Sequence, residues 1–388
     1  MIKHIAVDIR CLMERELTGV GEYTKEILGN MFQKDNKNQY YLFYNSRKDV
    51  SGVLPRFDYP NVHFCGFRWP NKLLSFCLLV FKWPKLDKLI AKKYKTPRID
   101  LFFFPNIGFI SASCKYIITA HDLSFAYFSE FLSFGRKLWH FLVNPARLYR
   151  ESSGIIAVSE NTKNDLHRYY GISKERITVV TSGVSADYRV LEKSAPELDH
   201  IRKMYKLPAK FFLFLGTLEP RKNVLSLIAA FNLFQKKNYQ KYTLVIAGKR
   251  GWKCDDILEK IAEYNLLNKE KIIYLDFVDS AHKPGLYNLA TGFVFPSFYE
   301  GFGFPVLEAM ACGCPVIAAN NSSLSEICGN SAILVDAVNV NDLADAFDLA
   351  CDSSLVKTFS AKGVEKAKKY CWHAAADKTL RLLESVCR

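Results

Sequence analysis

Phe293–Ile317 reads FVFPSFYEGFGFPVLEAMACGCPVI. An apolar, aromatic run ends at Pro296, a loop with Gly301 and Gly303 follows, and apolar positions then recur at helical spacing from near Pro305. Proline suits the first turn of a helix, where its missing N–H has no intrahelical partner to lose. A further apolar run, Pro315–Ala318, reads as the next strand. Strand, glycine loop, helix and strand in this order belong to a parallel sheet covered by helices. The loop also suggests chemistry. Glycines let backbone N–H groups approach a ligand, and a helix N-terminus favours phosphate or hydroxyl oxygens. Glu300 sits on the loop and Glu308 one turn inside the helix, and ionised carboxylates accept well from sugar hydroxyls. On spacing alone, a helix-start charge and a surface glutamate fit these two positions equally well.

Moving towards the N-terminus, Leu213-Phe214-Leu215-Gly216-Thr217-Leu218-Glu219-Pro220-Arg221-Lys222-Asn223 is a buried strand that ends in glycine and runs into two adjacent cations. Placed before a helix, Arg221 and Lys222 suit a diphosphate and the charge that develops on it as a sugar leaves. A solvated basic turn is the alternative. Thr18-Gly19-Val20-Gly21-Glu22-Tyr23 follows the first strand as a glycine turn, but the third glycine of GxGxxG is absent, so it is no dinucleotide fingerprint. Thr119-Ala120-His121-Asp122-Leu123 places His121 at a strand end, where open α/β sheets bind ligands. A structural histidine fits there too.

Strand-like runs recur along the whole chain. Ile5–Ile9, Tyr40–Tyr44, Leu101–Phe104, Tyr116–Thr119 and Gly154–Val158 occupy the first half; Phe211–Leu215, Thr243–Ala247 and Lys271–Leu275 precede the two in the second. Helical patterns such as Val224–Phe234 and Val306–Ala311 lie between strands. The polar, strand-poor stretch Ser185–Leu207 reads as a linker. The expected fold is α/β, two Rossmann-like domains whose parallel sheets face a cleft: residues 1–190, joined by a closing helix 373–388, and residues 191–372.

The composition is that of a folded protein, with 49% apolar and 24% charged residues in 388. Eleven scattered cysteines with no CxxC point to reduced thiols rather than disulfides or zinc. The N-terminal residues read as a strand and lack the apolar core of a signal peptide, so a cytoplasmic protein is expected. The net charge of +14 asks for an anionic partner, and part of it is local. Lys82, Lys85, Lys88, Lys92, Lys93, Lys95 and Arg98 oppose only Asp87. The preceding run Leu73–Phe81 is about half the length a membrane span needs, with Trp69 and Trp83 at its flanks. Segment 73–98 therefore fits either an interfacial element on an anionic membrane or a core helix with a solvated basic face.

Together these stretches resemble the retaining glycosyltransferases of family 4 with the GT-B fold, and the resemblance covers nearly the whole chain. Glu300-x7-Glu308 within YEGFGFPVLEAMACGCPVI is its most specific piece. LGTLEPRKN, VIAGKRGW, Ala157–Thr162, Thr181–Val184 and Tyr370-Cys371-Trp372-His373 support it. The flavour is similar to bacterial mannosyltransferases of O-antigen and capsule assembly. The resemblance implies that Glu300, with the backbone of Gly301, Phe302 and Gly303, contacts the donor sugar and that Glu308 holds the ribose. It further implies that Arg221 and Lys222 bind the diphosphate, Val278 offers its backbone to the base, Gly19 approaches the phosphates and His121 bonds the sugar near the reacting carbon. Where many members carry Arg after the strand-ending glycine, this chain has Thr217, with Arg221 as the substitute.

The expected activity is transfer of a hexose, mannose first, from a GDP- or UDP-linked donor to a saccharide or lipid-linked saccharide, without metal or further cofactor. Expected partners are that donor, that acceptor and an anionic membrane on the inner face of the cell, with no nucleic acid. The rival readings are a GT-B epimerase or phosphorylase, or a non-enzymatic basic binder of membrane or nucleic acid.

Overall fold

The computed structural model describes residues 2–14, 16–237, 241–268 and 271–387. Packing divides the chain into two units. The first holds Met1–Leu123, Phe134–Gly183 and Cys371–Arg388; the second holds Ser124–Ser133 and Val184–Tyr370. Residues 184–190 thus fall with the second unit.

The first unit is built on seven parallel strands: β1 (His4–Asp8), β2 (Gln39–Asn45), β3 (Val62–Phe67), β4 (Leu101–Phe104), β5 (Lys115–Ala120), β6 (Gly154–Ala157) and β7 (Ile177–Val179). Their order is β3-β2-β1-β4-β5-β6-β7. Val7 faces both Leu42 and Phe103, so β1 and β4, far apart in sequence, are neighbours in the sheet. β4 is buried throughout, as a central parallel strand covered on both faces must be. Among the helices that connect them in sequence are α1 (Gly19–Lys34), α2 (Asn71–Val80), α3 (Leu86–Tyr94), α4 (Ser124–Tyr127) and α5 (Phe134–Val143). Of these, α4 belongs to the second unit. The closing helix Trp372–Cys387 packs on α1, and Lys34 Nζ lies 2.6 Å from Asp377 Oδ1.

The second unit carries β8 (Phe211–Leu215), β9 (Thr243–Ala247), β10 (Ile272–Leu275), β11 (Gly292–Phe295), β12 (Val316–Ala319) and β13 (Ile333–Val335). Their order is β10-β9-β8-β11-β12-β13, again parallel. The aromatic rings of Phe212, Phe231, Phe234 and Phe347 cluster beneath this sheet.

All ten strands expected from the sequence are present. Three more, β3, β7 and β13, were not expected. The linker expectation needs correction: Ser185–Leu207 contains the helix Pro196–Met204. Its buried Leu198 and Ile201 give it a reason to fold, and Ile201 packs where Gly285 leaves room; a Cβ on Gly285 would lie 2.2 Å from Ile201 Cδ1.

All eleven cysteines are free. Burial pushes the Cys312 thiol up to about 12, which makes it a weak nucleophile and ligand at neutral pH.

Candidate functional site

In the second sheet the chain reverses its winding between β8 and β11, the place where an open α/β sheet leaves a crevice at its strand ends. The loops leaving those two strands are 216–223 and 296–303, the two motifs singled out by sequence. They are tied together. The Arg221 carbonyl accepts from the Phe298 amide at 2.9 Å. Asn223, at φ 58°, turns its buried amide to donate to the carbonyls of Pro296 (3.1 Å) and Ala337 (2.7 Å).

Four charges meet there. Lys222 Nζ donates to Glu300 Oε1 at 2.6 Å, and Arg221 Nη1 lies 3.1 Å from Glu300 Oε2. Arg221 Nη2 also donates to Glu219 Oε1 at 2.6 Å, and Glu219 is only 3% exposed. Ser297 Oγ adds a 2.6 Å bond to Glu300 Oε1. Burial alone would raise the Glu300 carboxyl, but Arg221, Lys222 and Ser297 overcome it and hold the group down at about 2. Lys222 is lowered, first by burial and then by Arg221, with Glu300 and Glu219 opposing. Its ammonium also sits 4.8 Å from the centroid of the Phe295 ring. Two cations thus balance two carboxylates within a buried cluster, so the geometry is fixed before any ligand arrives.

The backbone of the Glu300 loop is held from the other side by the helix Ser322–Cys328. The Glu300 amide donates to Ser322 Oγ at 3.0 Å, and Ser323 Oγ donates to the Phe302 carbonyl at 2.6 Å, with the Glu300 carbonyl 2.9 Å from the same oxygen. Gly303 has φ 116°, and a Cβ there would come within 2.9 Å of Leu324. This turn needs glycine on both counts. The Phe302 ring is buried against Phe304 and Tyr370, so what Phe302 can offer a ligand is backbone. Glu308 lies on the helix Phe304–Ala311 and accepts from the Tyr287 hydroxyl at 2.9 Å.

The loop after β9 runs alongside the one after β8. Leu218 pairs with Arg250, the Leu218 amide donates to the Lys249 carbonyl, and the Gly251 amide donates to the Leu218 carbonyl. Gly248 allows the approach, since a Cβ there would sit 2.0 Å from the Gly216 carbonyl oxygen. Thr217 is exposed on this ribbon and takes no part in the charge cluster, which Arg221 enters instead. Val278, past β10, has a buried side chain, and the exposed Phe277 beside it carries Lys249 over its ring.

Gly19 and His121 lie in the first unit. Gly19 is the exposed first residue of α1. His121 follows β5, and its Nε2 donates to the Pro105 carbonyl at the end of β4 at 2.7 Å, which places the proton on Nε2. Tyr23 packs edge-on at 4.8 Å between centroids. Burial lowers the His121 imidazole below its ordinary value, against the Pro105 carbonyl and Asp122, which raise it.

Sequence reasoning missed Glu219, Ser297 and Asn223, and also the strap Ser124–Ser133. Within the second unit the strap covers the loop beside Glu300. Tyr127 and Phe128 each bring a ring to 5.9 Å from that of Tyr299, and Phe131 reaches Phe298 at 6.0 Å. Trp252 Nε1 donates to the Phe131 carbonyl at 2.7 Å. Among the described residues no cluster of three or more His, Cys, Asp or Glu is arranged to hold a metal.

Residues 18–188 match the model of Glycosyltransferase Family 4, and residues 199–370 match that of Glycosyl transferases group 1. The chain is 32% identical over 379 residues to O-antigen chain mannosyltransferase B of Escherichia coli, covering 94% of this chain and 95% of that one. It is 29% identical over 220 residues to O-antigen chain mannosyltransferase RfbU of Salmonella typhimurium, 56% of each. Among solved structures, sucrose-phosphate synthase from Thermosynechococcus elongatus superposes with a TM-score of 0.75 at 19% identity over 99% of both chains, which speaks to the fold, GT-B.

Proposed function

Because this chain belongs to the group 1, family 4 glycosyltransferases, which are retaining and metal-independent, we propose that it moves mannose from a GDP- or UDP-linked donor to a saccharide or lipid-linked saccharide during surface polysaccharide synthesis. The named activities of the two curated relatives support the choice of sugar. The observation that carries the site reading is Glu300, held ionised between Arg221 and Lys222 at the ends of β8 and β11.

In this reading the Glu300 carboxylate accepts from donor-sugar hydroxyls, and the neighbouring glycine loop presents its backbone to the same sugar. Arg221 and Lys222 share their charge with the diphosphate as the bond to the sugar breaks, which stabilises the leaving group. Glu308 takes the ribose, Val278 the base, Gly19 the phosphates and His121 the sugar beside the reacting carbon. The chain works in the cytoplasm, with segment 73–98 on the anionic inner face of the cell membrane. Among the described residues no helix is long and apolar enough to cross a membrane.

Incubation with a panel of nucleotide-sugars and a soluble oligosaccharide acceptor tests the reading. The expected result is thermal stabilisation by GDP-mannose or UDP-linked mannose and a new glycosidic product of retained configuration, read by NMR. Release of free epimer or sugar phosphate with no new glycoside would favour the epimerase or phosphorylase reading.

A further inference from the structure

The strap Ser124–Ser133 is an excursion of the chain. Leu123 and Phe134, its neighbours in sequence, belong to the first unit, while the strap packs with the second. It consists of α4 and the tight turn Ser129–Phe131, and neither buries a residue fully. Ordering such a segment costs conformational entropy that it does not recover as core. Its contacts supply a different reason for it.

The strap spans from the loop after β9 to the loop after β11. On the β9 side, Trp252 Nε1 donates to the Phe131 carbonyl at 2.7 Å and Lys253 Nζ to the Glu130 carbonyl at 2.8 Å. On the β11 side, the Phe131 ring meets Phe298, and the Tyr127 and Phe128 rings both meet Tyr299. Phe128 also stacks on Phe131 at 5.7 Å, so the three strap rings move together or not at all. The two residues whose rings the strap holds are the two whose backbones Arg221 holds. The Phe298 amide donates to the Arg221 carbonyl, and the Tyr299 carbonyl accepts from Arg221 Nη1. The next residue is Glu300.

We propose that Tyr127 and Phe128 are positioning residues for the transfer: by gripping the Tyr299 ring they aim the Glu300 carboxylate when donor is bound. The inference rests on the function proposed above, in which Arg221 and Lys222 serve the diphosphate. Without donor, those two cations hold the Glu300 oxygens. As they turn to phosphate, Glu300 and the Tyr299 carbonyl both give up part of a partner. The aim of the carboxylate then falls to the backbone of its loop, which Ser322 and Ser323 hold on one side and the strap on the other. A misplacement of about 1 Å at a reacting group can cost about 10²-fold in rate, so a grip one residue away is close enough to matter.

The test is steady-state transfer by the full chain with GDP-mannose, or its UDP counterpart as the nucleotide-sugar panel directs, beside calorimetry with the matching nucleoside diphosphate. Tyr127→Ala with Phe128→Ala should lower kcat by at least about tenfold and leave diphosphate affinity within about twofold, because the rings act on the sugar's carboxylate and not on the phosphate cations. In a Glu300→Gln background the same pair should change kcat by less than about twofold, since the contact they aim is already gone. Tyr127→Phe should recover most of the rate lost in Tyr127→Ala. Thermal melts fix an assay temperature at which every variant is folded. If the double variant does not fold, Tyr127→Ala carries the same comparisons, since Tyr127 is 40% exposed. An equal fold loss in both backgrounds would reduce the strap to a general structural part and overturn the proposal. So would the parent's kcat in the strap variant, or diphosphate affinity that falls along with kcat. Glu300→Gln at the parent's rate would sink the reading of the site itself, which the strap variants alone cannot do.

Discussion

Lys222 and Glu300 are 78 positions apart in sequence and 2.6 Å apart in space. The pair exists because β8 and β11 are adjacent at the winding reversal of the second sheet, so each strand end delivers one partner. Its isolation from water makes it rigid and strongly sensitive to the loss of either member.

Glu300→Gln should cut turnover on the order of 10²–10³-fold, the usual loss when one strong transition-state contact is removed. The variant should remain folded but melt lower, because Arg221 and Lys222 stay buried with their charge no longer balanced. Steady-state kinetics and a thermal melt on the same preparation check both halves. A folded variant with the parent's rate removes Glu300 from the reaction.

Lys222→Ala should weaken a nucleoside diphosphate more than the bare nucleoside in calorimetry, since an ammonium serves phosphate and not base. Arg221→Ala should also cost stability, about 3 kcal/mol, because Glu219 loses the partner of its buried carboxylate. Combining Arg221→Ala with Glu219→Gln should recover part of that loss, and a double-mutant cycle in denaturant measures it.

Acid should find the Glu300 cluster. Held at about 2 in the folded chain against an ordinary 4.5, this carboxyl binds its proton more readily when unfolded. Its stabilisation is complete above pH 4.5 and is lost as the pH falls towards 2, about 3 kcal/mol in all. Stability curves of the parent and of Glu300→Gln should therefore converge as the pH drops through this window. Parallel curves would show that the carboxylate is not held as described.

His121 should not titrate in the physiological range. Burial lowers its imidazole, so the ring is neutral at pH 7 with its proton on Nε2 against Pro105. The pH–rate profile should show no His121 limb between pH 6.5 and 8. His121→Ala should lower turnover at every pH in that interval without changing the profile's shape. A limb near pH 7 that disappears in the variant would assign His121 a charged role.

The central strands were legible because parallel strands covered on both faces are continuous apolar runs, as in Phe211–Leu215 and Leu101–Phe104. β3 was not, since at the sheet edge it carries His63 and Gly66 within a half-buried pattern, and β7 and β13 are three residues each. The helix Pro196–Met204 hid in a polar stretch because only Leu198 and Ile201 anchor it. Within the site, the Gly-rich loop and the adjacent cations carried a local signal that Glu219 lacked. A glutamate beside a proline and an arginine looks like any surface acid until the fold buries it. Nor does sequence order suggest that Tyr127 and Phe128 pack on Tyr299, more than 170 positions away.

That last packing limits how the protein can be divided or recombined. A fragment of residues 184–370 would contain every strand of the second sheet yet lack the ten residues that shield Phe298, Tyr299 and Trp252. A chimera joined at 183/184 and 370/371 would inherit its second sheet from one parent and the strap that covers the loop after β11 from the other. Such hybrids should work only when both parents match at 124–133, so evolution can exchange this half of the chain freely only together with a piece of the half it leaves behind.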